Sequence, residues 1–289
     1  MKEIKYYEIG GIAFSVETPV PFEEMHPYSL FSKETAEPRI RYIFDYAPRL
    51  PEPKGKRIFE SSYFTAYSDG EKTYRYIGFF KDGKALDPEY AMAVFSKAEP
   101  SIIRVSIPMD RDVPMKASLI YRTLCLEQTL TLEGGVIFHS AFIEKDGRAI
   151  LFTAPSGVGK STQAELWRKY RNATVINGDC SVIKMHDGKA RAFSLPFSGT
   201  SGICHSGDYP LRAIVYLTQA PENRITRLSG IKAFRALYEG AKLSAWDREN
   251  GTVSADTISD LAREVPVFRL DCVPDESAVI ALENALEGI

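Results

Sequence analysis

A short run of glycine, lysine and hydroxyl residues is the part of the sequence best suited to chemistry. It reads Ala154-x-x-x-x-Gly159-Lys160-Ser161, with Ala154 where phosphate-binding loops of this pattern usually have glycine. Such loops turn successive backbone N–H groups toward a phosphate, and the helix that follows adds the positive end of its dipole. Gly157 and Gly159 allow the positive φ angles that this curl needs. The run therefore predicts binding of a nucleoside triphosphate or a similar phosphate.

We expect the whole loop to contribute to the nucleotide site. Lys160 would reach the β- and γ-phosphates, and the Ser161 hydroxyl would lie on a bound Mg²⁺ ion. The predicted cofactor-binding residues are Ala154, Pro155, Ser156, Gly157, Val158, Gly159, Lys160, Ser161 and Thr162. A Gly-rich turn within an ordinary strand–helix unit is the alternative. The flanking pattern favours phosphate binding, because residues 150–153 are typical of a strand and residues 161–170 of a helix with an apolar face.

Two residues outside the loop are further candidates for catalysis, with Lys160 as the third. Asp179 follows an apolar strand, where nucleotide-binding folds place a carboxylate that holds Mg²⁺ directly or through water. In a kinase it could instead accept the proton of the attacking hydroxyl, and an Asp that only caps a turn is the structural alternative. His139 lies inside a predicted strand, where a lone histidine is usually a core or surface residue. Ser161 and Asp179 are the predicted metal ligands.

Composition limits the classes of partner. The chain has 289 residues, enough for one large domain or two ordinary ones. Its 36 Lys and Arg nearly balance 38 Asp and Glu, so we expect no nucleic-acid or membrane partner. No signal-peptide or membrane-span pattern is present, which predicts a cytoplasmic protein. The cysteines are scattered without the spacing of a zinc site or disulfide framework: Cys125, Cys180, Cys204 and Cys272.

Two domains are predicted. Residues 1–112 form a β-rich domain of unknown role, in which Asp69-Gly70 and Asp82-Gly83 are hairpin turns between strand-like runs at 12–16, 40–44, 63–67 and 74–80. Its aromatic residues are typical of the inner face of a sheet, with ligand stacking as the alternative. Docking, substrate recognition and dimerisation stay open as its function.

Residues 113–289 are predicted to form an α/β nucleotide-binding domain with a mixed sheet. Strands at 136–144 and 148–153 flank a tight turn, so the strand that leads into the loop is half of an antiparallel hairpin. A second hairpin is expected at 181–193. The other predicted elements are a helix over 114–133, a strand at 211–217, helices at 231–238, 255–262 and 275–286, and a strand at 267–270.

These motifs resemble the HPr kinase/phosphorylase and ATP-dependent phosphoenolpyruvate carboxykinase superfamily, in particular its compact bacterial branch. The matching features lie within about residues 115–289: Phe138-His139-Ser140-Ala141, the turn at 144–148, the loop at 154–162, Asn177-Gly178-Asp179, the loop at 195–200 and the strand at 211–217. The resemblance implies a mixed sheet with a phosphate loop entered from a hairpin, Mg·ATP binding and, in kinase members, phosphoryl transfer to a serine hydroxyl. His139 matches the family histidine that lies close to the catalytic acid.

Two departures from the family pattern matter. Kinase members usually carry paired aspartates, whereas here the first position is Gly178 and only Asp179 remains. The glycine-rich stretch by which HPr kinases engage their protein substrate is missing, so HPr is disfavoured as the acceptor. The loop at 197–207 is either a mobile lining of the acceptor site or a plain surface loop.

The sequence therefore favours an Mg-dependent, ATP-binding kinase that transfers the γ-phosphate to a hydroxyl of an unidentified small molecule, peptide or protein. The alternative is a nucleotide-binding accessory or regulatory protein with little or no transfer activity, which the missing aspartate favours. The hypothesis of a carboxykinase-like enzyme is weakened, because the sequence shows no cluster of basic and metal-binding groups for an oxaloacetate-like anion. The family includes monomers and hexamers, so an oligomer is compatible with the resemblance.

Overall fold

The protein is described by a computed structural model that covers residues 2–81, 84–109, 116–243 and 247–288. Its contacts form two compact units, Met1–Leu126 and Glu127–Ile289. The predicted domain boundary near residue 112 and the predicted Asp82-Gly83 turn lie outside the described residues. The limits of the two predicted domains therefore stay a prediction.

The first unit is rich in strands, as predicted. A short 3-10 turn at Tyr28–Phe31 and helix α1 (Ala117–Thr123) accompany nine strands: β1 (Glu3–Ile9), β2 (Ile12–Thr18), β3 (Ser32–Lys33), β4 (Ile40–Ala47), β5 (Lys56–Glu60), β6 (Phe64–Ser68), β7 (Lys72–Lys81), β8 (Lys84–Ser96) and β9 (Ile102–Pro108). They form one sheet in the order β3-β1-β2-β4-β9-β8-β7-β6-β5. The β2–β4 and β4–β9 pairs are parallel and the other pairs antiparallel, so the sheet is mixed.

Turn chemistry and aromatic burial follow the sequence pattern here. At the β6–β7 turn, Asp69 Oδ1 accepts the backbone N–H groups of Glu71 at 3.0 Å and Lys72 at 2.7 Å, which fixes the hairpin. Several aromatic side chains are fully buried in this unit: Tyr7, Phe14, Tyr42 and Phe44. These rings supply core area, as expected for the inner face of a sheet.

The single helix expected over residues 114–133 is instead two short helices. Helix α1 is followed by α2 (Leu126–Leu132) after a break at Leu124 and Cys125. Cys125 has φ of 49°, which lies in the left-handed region and ends a right-handed helix. The leucine spacing is helical on both sides of the break, so periodicity alone did not reveal it.

The second unit combines a mixed sheet with helices. Its remaining elements are β10 (Gly135–Lys145), β11 (Arg148–Thr153), α3 (Lys160–Arg171), β12 (Thr174–Asn177), β13 (Cys180–His186), β14 (Lys189–Ser194), β15 (Asp208–Gln219), β16 (Arg224–Leu228), α4 (Gly230–Gly240), α5 (Arg248–Glu264), β17 (Val267–Cys272) and α6 (Glu276–Glu287), with a 3-10 turn at Gly199–Ser201. Both predicted hairpins, β10–β11 and β13–β14, are present.

Strand pairing gives this sheet an unusual connectivity. Strands follow the order β11-β10-β13-β14-β15-β17-β16, and β11 also pairs with β15, which closes a ring of five strands. β15 runs parallel to both β11 and β17, whereas the other pairs are antiparallel. The fold is thus mixed α/β. The three neighbouring parallel strands, β11, β15 and β17, have their carboxyl ends at the same edge of the sheet.

Two apolar clusters cover opposite faces of this sheet. Residues of α3 and α6 pack with one set of strand side chains, and residues of α4 and α5 with the other. The assignment alternates along β11, where Ile150 and Phe152 belong to the first cluster and Ala149 and Leu151 to the second. Burial on both faces explains the continuous apolar run before the loop. Among the helices of the described residues, none has the length and hydrophobicity needed to cross a membrane.

Candidate functional site

The segment between β11 and α3 contains the predicted phosphate-binding residues. Gly157 has φ of 81° and Gly159 has φ of 123°. No atom lies within 4 Å of a Cβ built at either position, so glycine is required here by backbone conformation and not by space. Ala154 is buried, whereas Pro155 and Ser156 are exposed. The segment is thus an exposed turn that starts from a buried strand end.

Helix α3 begins directly after this turn. Gly159 is its N-cap residue, and the first turn holds no acidic side chain. The N–H groups of a first helical turn have no partner within the helix, and the dipole there favours an anion. Ser161 and Thr162 are exposed in this turn. Backbone donors and hydroxyl groups are therefore presented together at the start of α3.

Lys160 lies across the turn that precedes it. Its Nζ donates to the carbonyl oxygen of Ala154 at 3.0 Å and to that of Pro155 at 3.2 Å. The residue is 7% exposed, and burial lowers its pKa, an effect that nearby Asp179 opposes. These bonds hold the Lys160 ammonium against the carbonyl oxygens at the start of the loop.

Asp179 occupies a break between two strands. β10 pairs with β13 through His139 and with β12 from Phe142 onward, and Asp179 lies in the gap between the end of β12 and the start of β13. The N–H of Ser140 donates to the Asp179 carbonyl at 3.0 Å. On its other side Ser140 is paired with Thr153, the last residue of β11. The central strand thus fixes Asp179 close to the strand end that leads into the loop.

A buried amide holds the backbone of this break. Asn177 is fully buried, and its Oδ1 accepts the N–H groups of Asp179 at 2.9 Å and Cys180 at 3.0 Å. Its Nδ2 donates to Ser194 Oγ at 3.1 Å and to the carbonyl of Leu195 at 2.8 Å. Asn177 therefore ties the turn that carries the acid to the end of β14.

His139 is adjacent to Asp179. Its Nδ1 lies 3.0 Å from the Asp179 carbonyl oxygen and 3.4 Å from Oδ1 of the same residue. Since a carbonyl only accepts, we assign the ring hydrogen to Nδ1, which leaves Nε2 as the basic nitrogen. Burial is the largest cause that lowers the pKa of His139, with Lys160 and Lys242 adding to it. The imidazole is therefore neutral at pH 7.

Cys180 and Lys242 complete the cluster. Cys180 Sγ donates to Asp179 Oδ2 at 3.0 Å, and Lys242 Nζ donates to Cys180 Sγ at 2.8 Å. Burial raises the pKa of Cys180 to about 12, and the neighbouring ammonium only partly opposes this. The thiol is thus protonated and is a structural partner of the acid, not a nucleophile.

The loop at 197–207 packs against the acidic turn. A Cβ at Gly178 would lie 2.1 Å from Ser201 Oγ, and a Cβ at Gly199 would lie 2.8 Å from the Asp179 carboxylate. The N–H of Gly178 donates to the carbonyl of Ile203 at 3.2 Å. The Ser201 turn therefore occupies the space that a side chain at position 178 would need.

The structure brings three sequence-predicted residues together, namely Lys160, Asp179 and His139, each within electrostatic influence of another. Cys180 and Lys242 were not predicted as members of the site. Cys180 follows the acid directly, but Lys242 lies just after α4, where an isolated bridge joins Ala241 to Phe138. No sequence signal marks Lys242, because only tertiary pairing places it here.

A protein-family model described as "SynChlorMet cassette protein ScmC" matches residues 107–275, more than half of the chain. The chain belongs to this family. Among curated proteins, none matches it.

Among solved structures, the chain is similar to the Hpr(Ser) kinase/phosphatase from Coxiella burnetii, with a TM-score of 0.32 and 10% sequence identity. That match covers 53% of this chain and 97% of the other. The resemblance to HPr kinases that the motifs suggest stays an interpretation.

Proposed function

We propose that the protein binds Mg·ATP at the segment Ala154–Thr162, entered from the β10–β11 hairpin, and transfers the γ-phosphate to a hydroxyl acceptor. The observation that carries this proposal is the proximity of Lys160 and Asp179. The Ser140 N–H donates to the Asp179 carbonyl, and Ser140 is paired with Thr153 at the end of β11, so Asp179 lies beside the loop that leads to Lys160. Its charge accordingly opposes the effect of burial on the Lys160 pKa. A cation at a helix start beside a fixed carboxylate provides the two charges that phosphoryl transfer uses.

The polyphosphate would be held by backbone N–H groups and by Lys160. The positive φ angles at Gly157 and Gly159 let the turn curl, and the start of α3 adds its dipole. The Lys160 ammonium would exchange its contacts with the Ala154 and Pro155 carbonyls for phosphate oxygens. Such charge-assisted bonds are stronger than neutral ones, so the exchange favours the bound state.

Asp179 and His139 are suited to handling the acceptor hydroxyl. The carboxylate would orient the hydroxyl and accept its proton, and the basic Nε2 of neutral His139 is the second group able to do so. Lys242, which lowers the pKa of both His139 and Lys160, supplies a second positive charge close to the reacting groups. Fixed charges of this kind stabilise the charge that develops on the transferring phosphoryl group.

The oxygen donors at the site fit a magnesium ion. Mg²⁺ is held by carboxylate and hydroxyl oxygens together with water and phosphate, and Asp179 and Ser161 offer such donors. When bound, the ion would neutralise charge on the β- and γ-phosphates. His139 and Cys180 contribute nitrogen and sulfur to the same cluster, but these donors suit softer metals, and the Cys180 thiol is protonated. We therefore assign the metal to Asp179 and Ser161.

One observation favours a second function, nucleotide binding with little or no transfer. The position that holds the other aspartate of kinase members is Gly178, and Ser201 fills the space beside it. A single carboxylate must then serve as both metal ligand and proton acceptor. In this regulatory alternative, nucleotide would bind at the same loop without turnover.

Binding and turnover of Mg·ATP separate these possibilities. Calorimetric titration should show binding by the wild type, and loss of charge-assisted bonds in Lys160→Ala should weaken it by about 1.5–3 kcal/mol, or about 10- to 150-fold. Asp179→Ala should abolish transfer of labelled γ-phosphate to a hydroxyl in a cell extract. Lys169→Ala is the matched control, because Lys169 is an exposed lysine of the same helix.

The outcomes are distinct. Binding without transfer to any acceptor would favour the regulatory function. Absence of Mg·ATP binding by the wild type, or equal binding by the wild type and Lys160→Ala, would refute the proposed site.

A further inference from the structure

A cavity of about 270 Å³ opens beside the candidate phosphate loop. Its lining residues come from the loop and from the carboxyl end of β15: Pro155, Val158, Tyr216, Leu217, Thr218 and Gln219. β15 runs parallel to β11, and Tyr216 is paired with Thr153, the residue before the loop. The cavity therefore lies where parallel strands end, the usual position of ligands in sheets of this kind.

The size and lining of the cavity indicate what it would take. Pockets for whole small ligands start at about 300 Å³, so this one suits a part of a larger ligand. None of its six lining residues is charged, and Val158 and Leu217 belong to one apolar cluster. Walls without a charged side chain offer a phosphate no ion pair, whereas a neutral heteroaromatic ring would bury apolar area there.

One polar side chain in the lining reaches toward the loop. Gln219 is exposed, and its Nε2 lies 3.5 Å from the Gly157 carbonyl oxygen, at the outer limit of a hydrogen bond. A contact this long is weak, so the amide can turn to a ligand at little cost. It offers one donor group and one acceptor side by side.

We infer that this cavity holds the nucleoside of the phosphate donor and that Gln219 selects adenine. The inference rests on the proposed function, because the loop that would hold the phosphates forms one wall of the cavity. Adenine presents an N6 donor next to an N7 acceptor, which a glutamine amide matches, whereas the same edge of guanine presents two acceptors. Gly157 would then lie between the polyphosphate and the base of a single bound molecule.

Three probes with magnesium separate this inference from the proposed function: ATP, GTP and inorganic tripolyphosphate, each titrated by calorimetry into the full-length protein. The wild type should bind ATP at least about fivefold more tightly than GTP, the worth of about one hydrogen bond. Tripolyphosphate, which lacks a nucleoside, should bind more weakly than either. Gln219→Ala should reduce ATP affinity to that of GTP and leave tripolyphosphate affinity unchanged.

A second variant tests the cavity by filling it. Thr218→Phe should lower the affinity for ATP to that for tripolyphosphate, and retained tripolyphosphate binding shows that the variant is folded. Thr226→Ala, at an exposed position on the nearby strand β16, is the control and should change no affinity.

Each result has one meaning. Equal wild-type affinities for ATP and tripolyphosphate, or an unchanged ratio of ATP to GTP affinity in Gln219→Ala, would overturn the nucleoside site while leaving the phosphate loop intact. Absence of tripolyphosphate binding by the wild type would overturn the proposed function together with this inference.

Discussion

Replacing Gly178 by alanine tests how closely the Ser201 turn packs against the candidate acid. The new Cβ would lie 2.1 Å from Ser201 Oγ and 2.7 Å from Ser201 Cβ. Atoms in ordinary contact are about 3.5–4.0 Å apart, so the Ser201 side chain would have to move by roughly 1–2 Å. The backbone at Gly178 is not among the positive-φ glycines of the described chain, so alanine meets no conformational obstacle.

The expected change in the free energy of unfolding of Gly178→Ala follows from two opposing effects. Overpacking costs about 1–3 kcal/mol, and reduced freedom of the unfolded chain returns about 0.4–1 kcal/mol, so Gly178→Ala should destabilise by about 1–2 kcal/mol. Ser201→Gly alone should cost about 0.5–1 kcal/mol, because Ser201 Oγ bonds the Ser198 carbonyl and the Ile203 N–H. In the double variant Gly178→Ala/Ser201→Gly the clash is gone. Its destabilisation should therefore be smaller than the sum of the two single destabilisations by about 1 kcal/mol or more.

Urea denaturation followed by tryptophan fluorescence measures these free energies of unfolding. Of the two tryptophans of the sequence, Trp167 is buried in the core of the second unit, so its signal reports on that unit, and Trp246 lies outside the described residues. Gly251→Ala is the matched control. Gly251 lies inside α5 with no atom within 4 Å of its Cβ, so alanine should stabilise by about 0.5–1 kcal/mol.

Two outcomes would refute this account. If Gly178→Ala is as well tolerated as Gly251→Ala, the Ser201 turn does not fill the space at position 178. If the effects of Gly178→Ala and Ser201→Gly simply add, the destabilisation has another source.

Two further predictions concern the residues around the acid. Asn177→Ala should destabilise by about 2–4 kcal/mol in the same urea assay, because it leaves buried partners without hydrogen bonds, and a loss below about 0.5 kcal/mol would contradict the role of Asn177. The lowered pKa of His139 means that the unfolded chain binds its proton first as the pH falls. The contribution of neutral His139 to the free energy of unfolding should therefore be fully present above about pH 6.5. It should be lost as the pH falls toward the lowered pKa of the folded state. His139→Gln should flatten that part of the pH profile, and an unchanged profile would show that His139 is not the residue responsible.

Much of the second unit could be predicted from sequence because its signals are local. The β10–β11 and β13–β14 hairpins follow from alternating or apolar runs around tight turns, and the start of α3 follows from glycine and lysine after a strand. The closed ring of strands could not be predicted, since it depends on pairing β11 with β15 across some sixty residues of chain. Strand β16 has an exposed, charged sequence and gives no strand pattern.

In the candidate site too, residues with local sequence signals could be predicted, and residues placed by tertiary contacts could not. The motif at residues 154–162 and the acid Asp179 were predicted from residue types and spacing. Lys242 was missed because α4 and the pairing of Ala241 with Phe138 bring it to Cys180. The reason for glycine at position 178 was also hidden, since Ser201 comes from a loop whose sequence does not indicate where it packs.

The pairing of β10 limits how this molecule can respond to a ligand. The strand is bonded to β11 on one side and to β12 and β13 on the other, so a displacement of β10 would break several ladders at once. Adjustment to an incoming molecule must then come from the glycine-containing turns at Gly157–Gly159 and Gly199–Gly202. Spectroscopic labels on those turns should change their signal when ligand is added, while the signal of labels on β10 should not change.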